Sequence, residues 1–327
     1  MEYKNIKGLI TPVSRISFGT ATSTLEKEEE IHAMLDYYVE RGGNYIDTAR
    51  FYGRGSGIQH TEELLGRWLA KDGNREKVVI QSKCCNTYIS KKGTYNDIFR
   101  VSRAHMYDDI MFSRDHLGVD CIDLYLLHRD DPSVPVSELM DTFEEFKLKG
   151  WIKAYGMSNW TLDRFIEACD YCERMAYQGP SVYSPFFSLM EIKTPWYHRI
   201  PPFKDEWLPW FEKHTEILLA AWAAQGRGFF GNYPQYDPEK ADAATKTAVL
   251  GNPENFLRKE RAIKLGEIKG IRPSQISLQY VLSQKASTAA IIGPRSVVDI
   301  DHALNAMEDR LTQEEIEYLT LKRDTLD

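Results

Sequence analysis

The chain has 327 residues, a length that suits one large α/β barrel with a core that needs no disulfide or metal. Acidic residues outnumber basic ones by 48 to 41, and the net charge of −7 disfavours a general nucleic-acid or membrane-surface binder. No apolar run approaches the length of a membrane span, and the charged start of the chain lacks the apolar centre of a signal peptide. We therefore expect a cytoplasmic protein with no nucleic-acid or membrane partner, and we interpret residues 1–327 as a single domain.

The cysteines give little sign of a disulfide framework or a metal site. They are odd in number and irregularly spaced, which is typical of reduced thiols in a cytosolic protein: Cys84, Cys85, Cys121, Cys169 and Cys172. The last two have CxxC spacing, but they fall inside a helical pattern and no second ligand pair accompanies them. We expect helix-packing cysteines there and predict no metal site.

The first half of the chain alternates short apolar runs with longer amphipathic segments. The predicted strands are residues 16–19, 44–48, 78–82 and 121–127, the last almost continuously apolar, as in a strand buried on both faces. The predicted helices between and after them are residues 27–41, 61–71, 96–117 and 136–149. This alternation is typical of βαβ units and a parallel sheet.

The second half continues the alternation with two long interruptions. Its predicted strands are residues 153–157, 181–184, 217–222 and 289–293, and its predicted helices are 162–175, a short helix near Trp210, 255–269, 273–284, 297–307 and a last one from Gln313. Irregular segments, 185–209 and 223–253, follow the sixth and seventh strands. Eight strands without a change of composition predict an α/β fold: a single (β/α)8 TIM barrel with extra C-terminal helices and long loops after strands 6 and 7.

Barrels of this kind place their active sites on the loops after the strands' carboxyl ends. Four titratable residues occupy such positions: Asp47, Tyr52, Lys83 and His128. Considered alone, each has an ordinary explanation. Asp47 could be a loop carboxylate and Tyr52 a surface tyrosine. Lys83 could be a lysine with its stem buried, and His128 a histidine bonded to backbone. Their occurrence together is more than packing requires, so we interpret the set as catalytic.

At these residues the chain resembles the aldo-keto reductase family. The similar motifs run in order over most of the chain: Asp47-Thr-Ala with Tyr52-Gly, Glu63-Leu-Leu-Gly66, Gln81-Ser-Lys83, Asp123-Leu-Tyr-Leu-Leu-His128 and Gly156-Met-Ser158-Asn159. The resemblance implies a reversible hydride transfer between a nicotinamide cofactor and a carbonyl or alcohol. In that chemistry Tyr52 is the general acid and base, Lys83 lowers its pKa, Asp47 holds the lysine, and His128 orients the carbonyl oxygen.

The resemblance also implies a cofactor site. Ser158 and Asn159 would bind the nicotinamide carboxamide and Trp222 would stack on its ring, while Ser184 stands where many relatives have Gln. Residues 226–231 match GxGxxG, but the Pro-containing stretch after them cannot be a helix, so we interpret them as a loop over the pyrophosphate with Arg227 as a phosphate contact. Gly293 and Arg295, before a predicted helix, resemble an adenosine-phosphate site and favour NADP.

Three positions depart from the family pattern near that phosphate site. Asp299 stands where relatives often have Gln or Arg, and His302 with Ala303 stand where they have Glu-Asn. A carboxylate beside a 2′-phosphate is repulsive, so NAD is possible as well as NADP.

The sequence leaves more than one interpretation of the substrate and of the class of protein. Aromatic residues in the loops suit a sugar-like carbonyl or polyol, and equally suit structural stacking: Tyr88, Trp160, Phe186, Phe187, Trp196, Tyr197 and His198. A cofactor-binding subunit resembling potassium-channel β subunits is the main alternative, although the first strand begins too early to leave an inactivation arm. A sugar-binding module or another barrel lyase would bind no nicotinamide. The oligomeric state is not readable.

Overall fold

The predicted strands form one closed sheet in the computed structural model, which describes residues 1–53, 61–71, 73–87, 100–193, 200–231 and 251–326. The barrel strands are β1 (Ile16–Gly19), β2 (Tyr45–Asp47), β3 (Val79–Cys84), β4 (Ile122–Leu127), β5 (Ile152–Ser158), β6 (Val182–Ser184), β7 (Leu218–Ala221) and β8 (Thr288–Ile292). Neighbouring strands are parallel, and β8 pairs with β1, so the barrel closes in chain order. The (β/α)8 prediction is confirmed.

Helices connect the strands and continue beyond the last one. They are α1 (Glu28–Glu40), α2 (Thr61–Leu69), α3 (Asn74–Lys77), α4 (Arg103–Leu117), α5 (Val136–Leu148), α6 (Leu162–Arg174), α7 (Leu208–Lys213), α8 (Glu254–Lys269), α9 (Pro273–Leu282), α10 (Val297–Asn305) and α11 (Gln313–Leu319). The expected long segments follow β6 and β7, and parts of them, 194–199 and 232–250, lie outside the described residues. So do Tyr88, Trp196, Tyr197 and His198 of the expected aromatic loops.

Helix α4 begins later than the sequence predicts. The expected helix starts at residue 96, whereas the described helix starts at Arg103. The hydroxyl of Ser102 accepts a hydrogen bond from the His105 backbone N–H, so Ser102 acts as an N-cap. Residues 96–99 lie outside the described part, and Arg100 precedes the helix and bonds to its Asp109, as described below.

The barrel interior is apolar at its N-terminal end and centre. One buried cluster collects inward-facing residues of the strands together with two residues from the N-terminal segment: Ile6, Val13, Tyr45, Val79, Leu124, Leu126, Ala154, Val182, Leu218, Ala220, Ala289 and Ile291. The other faces of the strands pack against the helices in a second, larger cluster. The predicted site residues lie beyond this apolar cluster, at the C-terminal ends of the strands.

A two-stranded antiparallel hairpin closes the N-terminal end. Tyr3–Lys4 pairs with Val13–Ser14, and Ile6 and Val13 fill the barrel floor. Arg15 fixes this hairpin, because its guanidinium donates to the Thr288 and Leu282 carbonyls and pairs with Glu2. The hairpin was not predicted, since two-residue strands leave no periodic pattern.

The cysteines are free thiols in the described structure. Burial raises the pKa of Cys169 to about 12 and that of Cys172 to about 11, so both are poor nucleophiles on helix α6. Among the described residues, no group of three potential ligands is arranged to hold a metal. No helix of the same ranges is long and apolar enough to cross a bilayer.

Candidate active site

A cavity of about 800 Å³ opens at the C-terminal ends of the strands. All of the predicted catalytic and cofactor-binding residues line it, with the exception of Ser184. It extends from Tyr52 and His128 at one end to Gly293 and Arg295 at the other. The barrel therefore brings these residues together from the ends of six strands, as strand-end placement predicts.

Lys83 connects two of the predicted catalytic residues. Its Nζ lies 2.5 Å from the Asp47 Oδ1 and 3.0 Å from the Tyr52 Oη, and a third bond of 3.1 Å goes to the Thr48 carbonyl. Lys83 and Asp47 are almost completely buried, whereas Tyr52 is half-buried and lines the cavity. An ammonium with three acceptors has no free donor, so its orientation is fixed.

Asp47 is held from below by a second layer of hydrogen bonds. The Gln81 amide donates to Asp47 Oδ1 at 2.6 Å, and the Tyr45 hydroxyl donates to the Gln81 side-chain oxygen at 2.5 Å. Both supporting residues are buried in the strands β2 and β3. A carboxylate that accepts from both an ammonium and an amide is fixed in position as well as in charge.

The turn after Tyr52 explains the Tyr-Gly pair in the sequence. Gly53 has a φ of +85°, and a Cβ at this position would lie 2.3 Å from the Thr61 hydroxyl. Only glycine combines that backbone angle with so close an approach. The close approach places Gly53 against Thr61 at the start of helix α2, directly after Tyr52, whose phenol bonds to Lys83.

Burial and the Lys83 ammonium shift the pKa of Tyr52 in opposite directions. Burial raises the pKa of the phenol, and the Lys83 ammonium offsets only part of that rise, so the pKa lies above its ordinary value. Burial alone would lower the pKa of Lys83, but Asp47 and Tyr52 outweigh it and raise that pKa. Lys83 thus acts on the Tyr52 pKa in the predicted direction, but burial outweighs it, and Tyr52 is a protonated phenol at neutral pH.

His128 lies beside Tyr52 at the cavity wall. The two rings meet edge-on, with centroids 5.6 Å apart and an interplanar angle of 84°. The His128 backbone N–H donates to the Cys84 carbonyl at 2.8 Å, which fixes the residue at the end of β4 next to β3. A substrate oxygen between these two rings would meet two groups able to donate a hydrogen bond.

Ser158, Asn159 and Trp222 form a connected group at the ends of β5 and β7. The Asn159 amide nitrogen donates to the Ser158 hydroxyl at 2.9 Å and to the His128 carbonyl at 3.1 Å, and its side-chain oxygen accepts from the Trp222 indole at 3.0 Å. The Ser158 hydroxyl donates to the Ser184 carbonyl at 2.7 Å. Both N–H groups of the Asn159 amide are therefore used, so this side chain can only accept a hydrogen bond from a ligand.

Ser184 does not contribute its side chain to the cavity. Its hydroxyl donates to the Ala220 carbonyl at 2.9 Å, while its own carbonyl accepts from Ser158. Its position at the end of β6 is as predicted, but its contact with the cofactor stays a prediction. Gln178, a glutamine shortly before β6 in the sequence, lies at the opposite end of the barrel and bonds to the Lys7 carbonyl.

The expected phosphate end includes a helix N-terminus and an internal carboxylate. Ser296 caps helix α10, and the Asp299 Oδ2 accepts from both the Arg295 backbone N–H, at 3.0 Å, and the Arg295 Nε, at 3.3 Å. Arg227 lies exposed at the rim, in a short turn of Gly226–Gly228 that continues into no helix. The residues fit a phosphate group, but Asp299 competes with it for Arg295.

Several residues around the site escaped the sequence reasoning. Gln81 was only part of a quoted motif, and Arg129, which lines the cavity, directly follows His128. Of the two glutamates that open helix α2, the quoted Glu63 pairs with Arg67 at the surface, whereas Glu62 is buried. Helical periodicity could have distinguished them, because Glu62 shares a face with the buried Leu65 and Leu69.

Comparisons with known proteins agree with this geometry. The Aldo/keto reductase family model matches residues 15–324. The uncharacterized oxidoreductase YrpG of Bacillus subtilis is 27% identical, with 98% of this chain and 95% of that protein covered. The NADP(+) aldo-keto reductase yakc of Schizosaccharomyces pombe is 25% identical, with 87% and 80% covered.

Two further similarities concern fold and family. The crystal structure of the thermostable aldo-keto reductase Tm1743 with the inhibitor epalrestat has the same fold, with a TM-score of 0.72, 23% identity, and 98% and 99% of the two chains covered. A probable voltage-gated potassium channel subunit beta of Arabidopsis thaliana is 24% identical, with 94% of this chain and 92% of that protein covered. The family model spans the barrel and the whole cavity, and the chain belongs to the aldo/keto reductase family.

Proposed function

We propose that the protein is a nicotinamide-dependent carbonyl reductase that also catalyses the reverse oxidation of an alcohol. The observation that supports this most is the Asp47–Lys83–Tyr52 series at the base of a large cavity. A buried ammonium with a phenol at the cavity face is suited to deliver one proton to a nascent alkoxide. The relatives named as oxidoreductases support the same reaction class.

Tyr52 is the general acid of the proposed reduction. Because its pKa is raised, the phenol is protonated at neutral pH, and transfer of its proton to a far more basic alkoxide is downhill. Lys83 then stabilises the phenolate that remains, while Asp47 keeps the ammonium charged and in place. His128 donates a hydrogen bond to the substrate oxygen and aligns it with Tyr52.

The direction of the Tyr52 pKa shift gives the proposed reaction a pH signature. Reduction needs the protonated phenol, so its rate should be nearly flat through neutral pH. Oxidation needs the phenolate, so its rate should rise with pH until the raised pKa is passed. A plot of kcat/KM against pH for both directions measures this asymmetry.

The cavity would hold the cofactor along the strand ends. A bound nicotinamide cofactor supplies the hydride. Asn159 and Ser158 would accept from its carboxamide, Trp222 would pack against its ring, and Arg227, Gly293 and Arg295 would bind its phosphates. We propose NADP as the preferred form, supported by the Arg295 site, with NAD possible because Asp299 competes for that arginine.

The proposed substrate is a small carbonyl compound or polyol, sugar-like in character. The Tyr52 end of the cavity combines the apolar Phe51, Ile200 and Trp222 with the polar Asn86 and Arg129. Such a mixed wall suits a molecule with an apolar face and several hydroxyls. The free thiols suit a reducing, cytoplasmic setting.

Cofactor titration tests the proposed function. NADPH and NADH are added to the wild-type protein and to Trp222→Leu, and tryptophan quenching is followed. We expect quenching by NADPH, with an affinity that falls about tenfold in Trp222→Leu after loss of the aromatic packing. Failure of both cofactors to bind would contradict the proposal. Binding without turnover of any aldehyde would favour the role of a cofactor-binding subunit, for which the similarity to the Arabidopsis channel subunit is the supporting observation.

A further inference from the structure

Behind the catalytic residues, Asp109 of helix α4 collects donors from three separate segments. It is fully buried. Its Oδ2 accepts from the Cys85 backbone N–H at 2.7 Å, and its two oxygens accept from the Arg100 guanidinium at 3.1 and 2.8 Å. Arg50 donates to Oδ1 as well. One carboxylate thus joins the loop after β2, the loop after β3 and the segment before α4.

Two of these segments carry the catalytic pair. Arg50 lies two residues before Tyr52 in the loop after β2, and Cys85 lies two residues after Lys83 at the end of β3. Cys85 has a φ of 59°, a conformation that non-glycine residues rarely adopt, and its N–H points to Asp109 in that conformation. The carboxylate therefore fixes the chain on either side of the Lys83–Tyr52 contact.

Phe51 strengthens this connection. The Arg50 guanidinium lies 5.4 Å and the Arg100 guanidinium 4.9 Å from the Phe51 ring centroid. Phe51 is buried and borders the cavity directly before Tyr52. Arg50 also lies 4.4 Å from the Phe112 ring on α4, so the loop rests on that helix through aromatic as well as ionic contacts.

We propose that Asp109 is a positioning residue for catalysis, acting through Arg50 and Cys85 to hold Tyr52 within hydrogen-bond distance of Lys83. The proposal rests on the proposed reductase function. Asp109 does not line the cavity, so it is not a substrate or cofactor contact. Geometry at the reacting atoms is sensitive to small displacements, and an error of about 1 Å costs on the order of a hundredfold in rate.

The test compares Asp109→Asn with a matched buried carboxylate, Asp123 of β4. Asp123 accepts from Arg75 at 2.9 Å, from Lys153 at 2.5 Å and from the Ile80 N–H at 2.9 Å, toward the N-terminal end of the barrel. Asp123→Asn should therefore cost a similar amount of stability without moving Tyr52. We expect Asp109→Asn to lower kcat for an aromatic aldehyde by about ten- to a hundredfold, with the Kd of NADPH changed by less than about twofold.

Two further measurements separate positioning from general damage. In alcohol oxidation, Asp109→Asn should shift the alkaline limb of the pH profile upward, since a phenol farther from Lys83 ionises less readily. If Asp109→Asn does not fold, Arg50→Met replaces it, with Arg50→Lys expected to recover most of the lost kcat. Equal losses of kcat in Asp109→Asn and Asp123→Asn, or an unchanged kcat and pH limb, would overturn the proposal.

Hydrogen exchange provides a readout without turnover. Peptides covering residues 48–53 and 84–87 should exchange faster in Asp109→Asn than in the wild type, and should be unaffected in Asp123→Asn. Unchanged exchange in both segments overturns the positioning role, whatever the reaction. An absence of cofactor binding and turnover in the wild type contradicts the reductase function instead, so the two failures are distinguishable.

Discussion

Arg15 at the N-terminal end of the barrel and Lys83 at the C-terminal end are both buried cations that bond to several groups of the protein. Arg15 bonds to the Thr288 and Leu282 carbonyls and to Glu2, whose side chain is 47% exposed. Lys83 bonds to Asp47, whose side chain is 4% exposed, and to Tyr52. Burial lowers the pKa of Arg15 despite Glu2, whereas Asp47 and Tyr52 overcome burial and raise the pKa of Lys83.

The difference lies in the partners and their surroundings. Arg15 closes the barrel floor and none of its partners borders the cavity, so its charge serves packing. One partner of Lys83, the Tyr52 phenol, is at the cavity face, so a change in charge there can be passed to a ligand. A buried charge thus indicates a catalytic role when one of its partners lines a cavity, and a structural role when none of them does.

The largest expected effect comes from Tyr52→Phe. Removing the hydroxyl removes the proton donor, so aldehyde turnover should fall by about a thousandfold, while the Kd of NADPH stays within about twofold of the wild-type value. Stopped-flow reduction of a model aldehyde measures the first quantity and fluorescence titration the second. Tyr38→Phe is the control at the other end, where the hydroxyl bonds to the Ile16 carbonyl. Turnover retained in Tyr52→Phe would assign the proton to another group.

Arg15→Met should affect stability rather than turnover. The substitution leaves the Thr288 and Leu282 carbonyls without their donor, and should lower the free energy of unfolding by about 2–4 kcal/mol. Urea unfolding measures the loss. If kcat of the folded variant also fell by about tenfold, the two ends of the barrel would be coupled. The contrast between a structural Arg15 and a catalytic Lys83 would then fail.

Glu62→Gln should remove a pH dependence of stability. Burial raises the pKa of Glu62 to about 7, from an ordinary 4.5, although the Ser82 hydroxyl bonds to the carboxyl. The folded protein then keeps a proton that the unfolded chain releases, so stability falls as pH rises from about 4.5 to 7, by up to about 3 kcal/mol. Urea unfolding of Glu62→Gln at several pH values should lack this decline.

Glu63→Gln is the matched control for that measurement. Glu63 is the neighbouring carboxylate on α2, and it pairs with Arg67 at the surface, so its loss should leave the decline of stability with pH intact. If stability declined with pH equally in the wild type and in Glu62→Gln, the pKa of Glu62 would not be raised by folding. That result would contradict the account of a costly buried carboxylate.

Asp299→Asn is expected to give the smallest effect. Removing the carboxylate removes one acceptor of the Arg295 guanidinium and a charge that repels a 2′-phosphate, so NADPH should gain about fivefold in affinity relative to NADH. Arg295→Ala should shift the preference in the opposite direction. Parallel titrations with both cofactors measure the ratio, and an unchanged ratio in both variants would place the adenosine phosphate elsewhere.

The sequence was sufficient for the barrel and for the titratable strand-end residues because both follow from local patterns, whereas the cofactor-site residues followed from the family resemblance. A polar residue stands at the end of each of these apolar, strand-length runs. Asp47, Lys83 and His128 therefore lie at the carboxyl ends of their strands, where barrels of this kind place their active sites. The predicted start of α4 was too early because the N-cap, Ser102, starts the helix at Arg103, later than amphipathicity suggests. The N-terminal hairpin left no pattern, since each of its strands has two residues.

The supporting contacts could not be predicted, because they join distant segments. Helical periodicity puts Asp109 on the buried face of α4 with Met106 and Ser113, unlike the exposed Asp108, but its bonds go to residues 24 and 59 positions away, which no local pattern indicates. The net pKa of Tyr52 was likewise unpredictable from residue types. Its direction depends on how completely the phenol is desolvated relative to its distance from Lys83, and both quantities belong to the packed structure.

Deuterium transfer tests the central claim most directly. The wild-type protein is mixed with an aromatic aldehyde and NADPH or NADH carrying deuterium at the reactive nicotinamide carbon, and the alcohol product is analysed by mass spectrometry. The account predicts one deuterium on the alcohol carbon with the wild type, and a product yield about a thousandfold lower with Tyr52→Phe under the same conditions. Cofactor binding without any labelled alcohol from a panel of aldehydes, ketones and sugars would contradict it.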